Sequence, residues 1–589
     1  MPDPSAPFSF SPPALSLAAG TAAFDDAVAR AGDESWVERL FAKDASLWSS
    51  DARVQESIVD RLGWLDSPAE FTERVGMLEG FGEGIRDAGF TTAIVAGMGG
   101  SSLAPDVLNR TFGPAEDWLA LRVLDSTDPE TVAATVDDLD PLTTLFIVAS
   151  KSGTTTEPLA FLADAWARIE AALRARHAPR FEHAGEMIVA ISDPGKSIEA
   201  IPHHDELREL FLNPPDIGGR YSAISYVGLV PASLIGLDLD ALLASATAML
   251  GACREPDPAL NPGVSLGLAI GTLAKAGRDK LTFLADPEIT AFGAWAEQLI
   301  AESTGKRGTG IVPVDLEPIG GIDRYGPDRV FVRLTLADGS RDRDADALAD
   351  AAATAGHPVI RIELADPIDI AAEFVRWEVA TAIAGAVLGI DAFDQPNVEE
   401  AKQRTRDLLA GHANAAAPAA APIATADGLA LFGDAPLRLS SDGDEPTLAS
   451  ELRRHLDRRR PNAYLALQAF IGPSPERDAA IARIRTLLRD ATGCATTAGY
   501  GPRFLHSTGQ LHKGGPATGW FLQLTEHHRA DRPIPGWPYT FGRLIDAQAQ
   551  GDFEAIEAHD LPIVRVHLDD PDTGLARLEA ALAEALLAG

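Results

Sequence analysis

Apolar and polar residues over 24–88 recur at helix spacing with no strand-like alternation, which predicts a run of helices. From residue 92 the pattern changes. Short, nearly continuous apolar runs at 92–95, 119–124, 144–148 and 187–191 each end in a turn and usually lead into a helical stretch. Such runs alternating with helices indicate βαβ units and a parallel sheet flanked by helices. A second series follows at 280–284, 329–334 and 359–364, and a third at 463–470, 520–525 and 563–568, closing on an Ala/Leu-rich helix. Residues 1–20, rich in Pro, Ala and Ser, read as an arm or a linker. Residues 411–423 (G-H-A-N-A-A-A-P-A-A-A-P-I) read as an exposed Ala/Pro linker.

One pair of segments repeats. Residues 358–367 read P-V-I-R-I-E-L-A-D-P and 562–571 read P-I-V-R-V-H-L-D-D-P, each with another strand upstream and a helix downstream. Any two parallel strands leading into a helix cap share part of this pattern. The alternative is that the C-terminal third repeats half of the second domain and packs beside it.

Length and composition narrow the class. A chain of 589 residues that is 46% hydrophobic and 23% charged is globular and too long for one core, so two or three α/β units are expected. Apolar runs of membrane-spanning length and the basic start of a secretory signal are both missing from the pattern. Cys253 and Cys494 are the only cysteines. They suit a reducing, cytoplasmic setting and suggest neither a disulfide framework nor a Cys-based metal site. The formal net charge of −36 argues against nucleic acid or an anionic membrane as partner. An anionic substrate would therefore need a locally assembled site.

Two turns supply candidates. Residues 96–105 (A-G-M-G-G-S-S-L-A-P) follow a strand and open a helix, placing Gly100 and Ser101 where backbone N–H groups and the helix dipole can meet an anion. By itself this turn also suits a dinucleotide, or no ligand. Residues 149–158 (A-S-K-S-G-T-T-T-E-P) put four hydroxyls, Ser150, Ser152, Thr154 and Thr155, beside Lys151 at another helix start. Simple capping needs one hydroxyl; four can donate to phosphate oxygens while Lys151 adds charge. Glu157 is placed like a capping-box acid. A dinucleotide fingerprint acid and a G-K-[ST] loop are both lacking.

These turns resemble those of sugar isomerase domains, which bind phosphosugars at the ends of a parallel sheet. Residues 218–229 (G-G-R-Y-S-A-I-S-Y-V-G-L), 298–306 (Q-L-I-A-E-S-T-G-K), 393–402 (F-D-Q-P-N-V-E-E-A-K) and 505–510 (L-H-S-T-G-Q) resemble signature segments of the phosphoglucose isomerase family. The resemblance implies an α/β fold of two sugar isomerase domains, each a parallel sheet between helices, with a C-terminal α/β extension. The expected divisions are an arm and helical region over 1–88, the two domains over 89–250 and 251–410, the linker over 411–423, and an extension over 424–589 that completes the second domain.

It also implies aldose–ketose isomerisation between glucose 6-phosphate and fructose 6-phosphate, with no cofactor and no metal. Glu302 matches the family's carboxylate base, which carries a proton between C2 and C1. Arg220 matches the arginine that stabilises the enediolate. A guanidinium suits that task because it stays charged and cannot compete for the proton. Lys402 matches the lysine at the ring oxygen, and His506 the ring-opening acid/base, a role that suits histidine as a residue type. Gln298, four residues before Glu302 and so on the same helix face, binds phosphate or a hydroxyl.

In related single-function isomerases the His segment precedes the F-D-Q-P segment, whereas here it follows by about a hundred residues. That order resembles the isomerase half of bifunctional transaldolase–phosphoglucose isomerases. It leaves His512 and Lys513, in the same loop, as rivals to His506. Two other readings stay open: an isomerase that also accepts mannose 6-phosphate, and a phosphosugar sensor without turnover. Because family members often build this site from two subunits, a homodimer is compatible with the reading.

Overall fold

The apolar runs become buried strands in three sheets. The computed structural model describes residues 8–176, 180–411, 421–439 and 446–587. In chain order the strands are β1 (Ala14–Ser16), β2 (Thr92–Gly97), β3 (Ala120–Leu124), β4 (Thr144–Ala149), β5 (Ile188–Ser192) and β6 (Glu209–Leu212). The second unit contributes β7 (Lys280–Ala285), β8 (Val312–Val314), β9 (Arg329–Leu336) and β10 (Val359–Leu364). The third contributes β11 (Ala424–Ala426), β12 (Leu429–Gly433), β13 (Tyr464–Phe470), β14 (Ala495–Tyr500), β15 (Gly519–Glu526) and β16 (Ile563–Leu568).

The sheets run β3-β2-β4-β5-β6, β1-β10-β9-β7-β8 and β11-β12-β16-β15-β13-β14. Counted within its own unit, each places its parallel strands in the order second, first, third, fourth, with β6 added as a fifth in the first unit. Helical crossovers join them. In such an order the chain leaves the first strand in both directions, opening a crevice at the carboxyl ends of the first and third strands.

The sequence echo is therefore larger than half a domain. Strands β13–β16 repeat the whole parallel set β7–β10, and each set carries an antiparallel strand, β12 or β1, on its fourth strand. The C-terminal residues pack against the second unit by docking, not by strand pairing. Among the described residues their sheet shares no strand ladder with the second, and it has a separate apolar core around Leu465, Leu522, Val566 and Leu578. The first two units share one continuous core.

The arm expected over 1–20 is anchored where it is described: Ala14–Ser16 pairs antiparallel with β10. Helices fill 24–88 as the spacing predicted, from Thr21–Asp33 to Val75–Asp87. The proposed linker falls mainly outside the described residues.

Polar contacts seat the C-terminal unit on the others. Arg503 reaches Asp106 at 3.1 Å and Asp125 at 2.8 Å in the first unit. Arg532 holds both oxygens of Asp164 at 2.9 Å. Arg485 donates to the backbone carbonyls of Asp315 and Leu316 in the second unit, each at 2.8 Å.

Candidate active site

A cleft of about 420 Å³ opens at the carboxyl ends of β2 and β4. Its walls include Gly100, Ser101, Ser150, Lys151, Ser152, Thr155, Arg220, Gln298, Glu302, Lys402 and His506. Of the twelve residues singled out from sequence, only Thr154 faces elsewhere, into a neighbouring cavity of about 490 Å³ that shares Ser152, Thr155, Lys402 and His506.

The first wall is built from the two turns. Gly100 must be glycine, because a Cβ there would lie 2.0 Å from the Gly219 carbonyl oxygen, just before Arg220. Gly153, at φ +66°, is likewise pressed against the Ser197 carbonyl. Ser150 Oγ donates to Thr155 Oγ1 at 3.0 Å, and the Ser152 and Thr154 hydroxyls pair at 3.0 Å. Thr155 precedes the twenty-residue helix Thr156–Ala175, yet its side chain makes no capping hydrogen bond. The hydroxyls are not spent as caps.

Lys151 departs from expectation. Its Nζ lies 2.6 Å from Asp193 and donates to the Pro215 carbonyl at 2.9 Å, so its charge is already compensated. Arg61, which sequence reasoning missed, lines the same cleft with no carboxylate within 4.0 Å among the described residues. It sits in the N-terminal helical region, where no motif marks it.

The second wall is the helix Phe292–Thr304. One turn separates Gln298 from Glu302, and Gln298 Nε2 donates to Glu302 Oε2 at 3.1 Å. Arg220 Nη1 stands 3.4 Å from Glu302 Oε1. Arg220 is almost fully buried and held from several sides: it donates to Ser303 Oγ at 2.7 Å and to the carbonyls of Ala392 and Asp394 at 2.8 and 3.0 Å. The F-D-Q-P segment thereby locks the guanidinium in place. Lys402, on the helix Val398–Gly411, is more exposed and lies 3.2 Å from Glu399.

The third wall comes from the C-terminal unit of the same chain. After β14 a short turn, Arg503–His506, and the helix Gly509–Gly514 wedge between the other two units. Gln510 ties three signature segments together. Its Nε2 donates to the Gly305 carbonyl at 2.9 Å, and its Oε1 accepts from the Asn397 backbone at 2.8 Å. The same Gln298 Nε2 that touches Glu302 also donates to the His506 carbonyl at 2.8 Å.

His506 Nε2 lies 3.1 Å from Glu157 Oε1, which also accepts from Gln548 Nε2 at 2.6 Å. Glu157 is therefore no capping-box acid; no capping bond is formed there. Burial pushes its carboxyl up, but the adjacent His506 charge and hydrogen bond, with Lys402 beyond, outweigh that and hold it below its usual range. Sequence could not show this, since the partners lie in different units.

The rivals are set back. His512 is buried beside Gln468 and Phe521, and burial drives its pKa well below the ordinary value. Lys513 faces the neighbouring cavity but is spent on Asp552 at 2.7 Å.

Comparison with known proteins finds relatives of one family. The sequence model of phosphoglucose isomerase matches residues 52–314. A glucose-6-phosphate isomerase of Rubrobacter xylanophilus is 31% identical over 376 residues, covering 55% of this chain and 83% of that protein. One from Thermus thermophilus is 29% identical over 400 residues, covering 59% and 90%. Among solved structures, a hypothetical protein from Thermus thermophilus superposes with TM-score 0.55 at 26% identity, covering 68% of this chain and all of that one. The family match ends before Lys402 and His506, whose places come from the fold. With that length of match and that level of identity, this chain belongs to the phosphoglucose isomerase family.

Proposed function

We propose that this chain interconverts D-glucose 6-phosphate and D-fructose 6-phosphate through an enediolate. The observation that carries the reading is the convergence of Glu302, Arg220 and His506, drawn from three structural units, on one hydroxyl-lined cleft. The phosphate sits against Ser150, Ser152 and Thr155 with Arg61 as the cation not held in a close ion pair. That answers how so acidic a chain holds an anion: the attraction is local and short-ranged.

The ring opens first. A proton leaves the anomeric hydroxyl and one arrives at the ring oxygen. His506 exchanges it through Nδ1, its Nε2 being engaged by Glu157, while Lys402 steadies the ring oxygen. Glu302 then takes the C2 proton and returns it to C1. Arg220, fixed 3.4 Å from that carboxylate, faces the charge that develops on the enediolate oxygen. All four side chains come from one chain, and a homodimer is compatible with the reading. The acidic surface favours a small phosphosugar partner over nucleic acid, and a cytoplasmic setting suits the reaction. No helix of the described residues is long and apolar enough to cross a membrane.

A coupled assay for fructose 6-phosphate formed from glucose 6-phosphate tests the reading. Binding of the sugar phosphate with no turnover would replace it with a sensor function.

A further inference from the structure

The crevice at the carboxyl ends of β2 and β4 holds the candidate active site. The third sheet repeats that strand order, and its equivalent crevice, at the ends of β13 and β15, is also lined with chemistry. There Asp128, Glu526 and His528 each bring a ligand-type atom within 4.8 Å of the others. Asp128 precedes the helix Pro129–Val136 of the first unit; Glu526 ends β15, and His528 follows it.

Two of these atoms lack partners. Asp128 is fully buried, and its Oδ1 is spent on the backbone and hydroxyl of Thr131 at 2.7 and 2.8 Å, while Oδ2 has no hydrogen bond. It points at His528 Nδ1, 4.0 Å away and likewise without a hydrogen bond. The His528 ring is oriented for this by Nε2, which lies 3.2 Å from Asp546. A carboxylate behind a histidine is the arrangement that fixes the tautomer of a metal-binding imidazole. Glu526 Oε1 accepts from the Gly472 backbone at 2.9 Å. The nearest cation is Arg477, 3.7 Å from Glu526 Oε2, but it is shared with Asp572 at 2.9 Å and Glu130 at 3.8 Å. Two buried carboxylates with so little compensation are costly unless a further cation joins them.

We propose that Asp128, Glu526 and His528 form a site for a divalent ion of the zinc or manganese class, which clips the C-terminal unit to the first. One imidazole with two carboxylates suits that class. Ligands on a tetrahedral ion of that class lie roughly 3.3–3.6 Å apart, so closure by up to about an ångström completes the site. A cavity of about 970 Å³, lined by Glu130, Thr131, Gly472 and Arg477, lies alongside residues that contact the three ligands. The ion would hold in place the unit that carries His506, without touching substrate.

The test uses the full chain, stripped with chelator and titrated with Zn²⁺ or Mn²⁺ by calorimetry and thermal melting. One ion per chain and a rise in Tm of a few degrees are expected. His528→Ala and the nearly isosteric Glu526→Gln should each weaken binding by at least about tenfold and remove the shift. If the wild type takes up neither ion, or both variants take it up equally well, the carboxylates share a proton instead and the proposal fails.

Discussion

Glu157→Gln isolates the link between the cradle helix and the transposed histidine. The substitution keeps the length of the side chain and an oxygen that can accept from Gln548, but it removes the charge beside His506 Nε2. The contact broken is a hydrogen bond of 3.1 Å to a buried carboxylate, with both side chains largely shielded from solvent. Such a bond is worth about 1.5–3 kcal/mol, so kcat for the cyclic sugar should fall roughly ten- to a hundredfold. KM should hold, since Glu157 is bonded to His506 and Gln548 and not to the hydroxyls of the cradle. Isomerisation of the cyclic substrate is measured against C1/C2 proton exchange on an open-chain sugar phosphate, which bypasses ring opening and should change little. An equal loss in both assays would refute the argument, as would full activity on the cyclic sugar. The variant also has a pH signature. Because the Glu157 carboxyl sits below its ordinary value in the folded chain, it stabilises the fold above that value and the benefit is lost as pH falls through the lowered one. Glu157→Gln should therefore flatten the acid limb of the stability profile.

Glu302→Gln removes the proton acceptor while keeping the partner of Gln298, and kcat should fall on the order of 10²–10⁴ with KM little changed; a variant with half its activity would exclude Glu302 as the base. Ser150→Ala with Thr155→Ala, and separately Arg61→Gln, should raise KM for the sugar phosphate about tenfold or more, and loss of stability with unchanged KM would place the phosphate elsewhere. In the C-terminal unit, His455 is buried against Trp520 with Nε2 on the Phe521 carbonyl at 3.0 Å, and burial lowers its pKa to about 3. The unfolded chain then binds the extra proton first, so stability should drop by up to about 1.4 kcal/mol per pH unit below about 6.5. Melting followed by tryptophan fluorescence should show that slope reduced in His455→Gln; an unchanged slope would assign it to other groups.

Much of this was legible along the chain. The apolar runs marked ten of the strands because strands buried on both faces leave a local signal that needs no partner. Short edge strands such as β6, β8 and β11 span too few residues for an apolar run to stand out. The twelve candidate residues could be singled out because turns, a helix-spaced Gln298–Glu302 pair and family segments are all local patterns. What only the tertiary structure decided is who meets whom. Glu157 looked like a cap because its neighbours in sequence are cap residues, while its actual partners, His506 and Gln548, arrive from a unit more than three hundred residues away. Lys151 looked like a free cation because nothing near it in sequence neutralises it, and Asp193 does so only once β4 and β5 lie side by side. Arg61 was invisible for the converse reason, being an ordinary surface-type residue until the fold turns it into the cleft. Sequence patterns report what each segment can bury or bond on its own; charge compensation and proton relays depend on groups brought within a few ångströms by packing, and distance along the chain carries no trace of them.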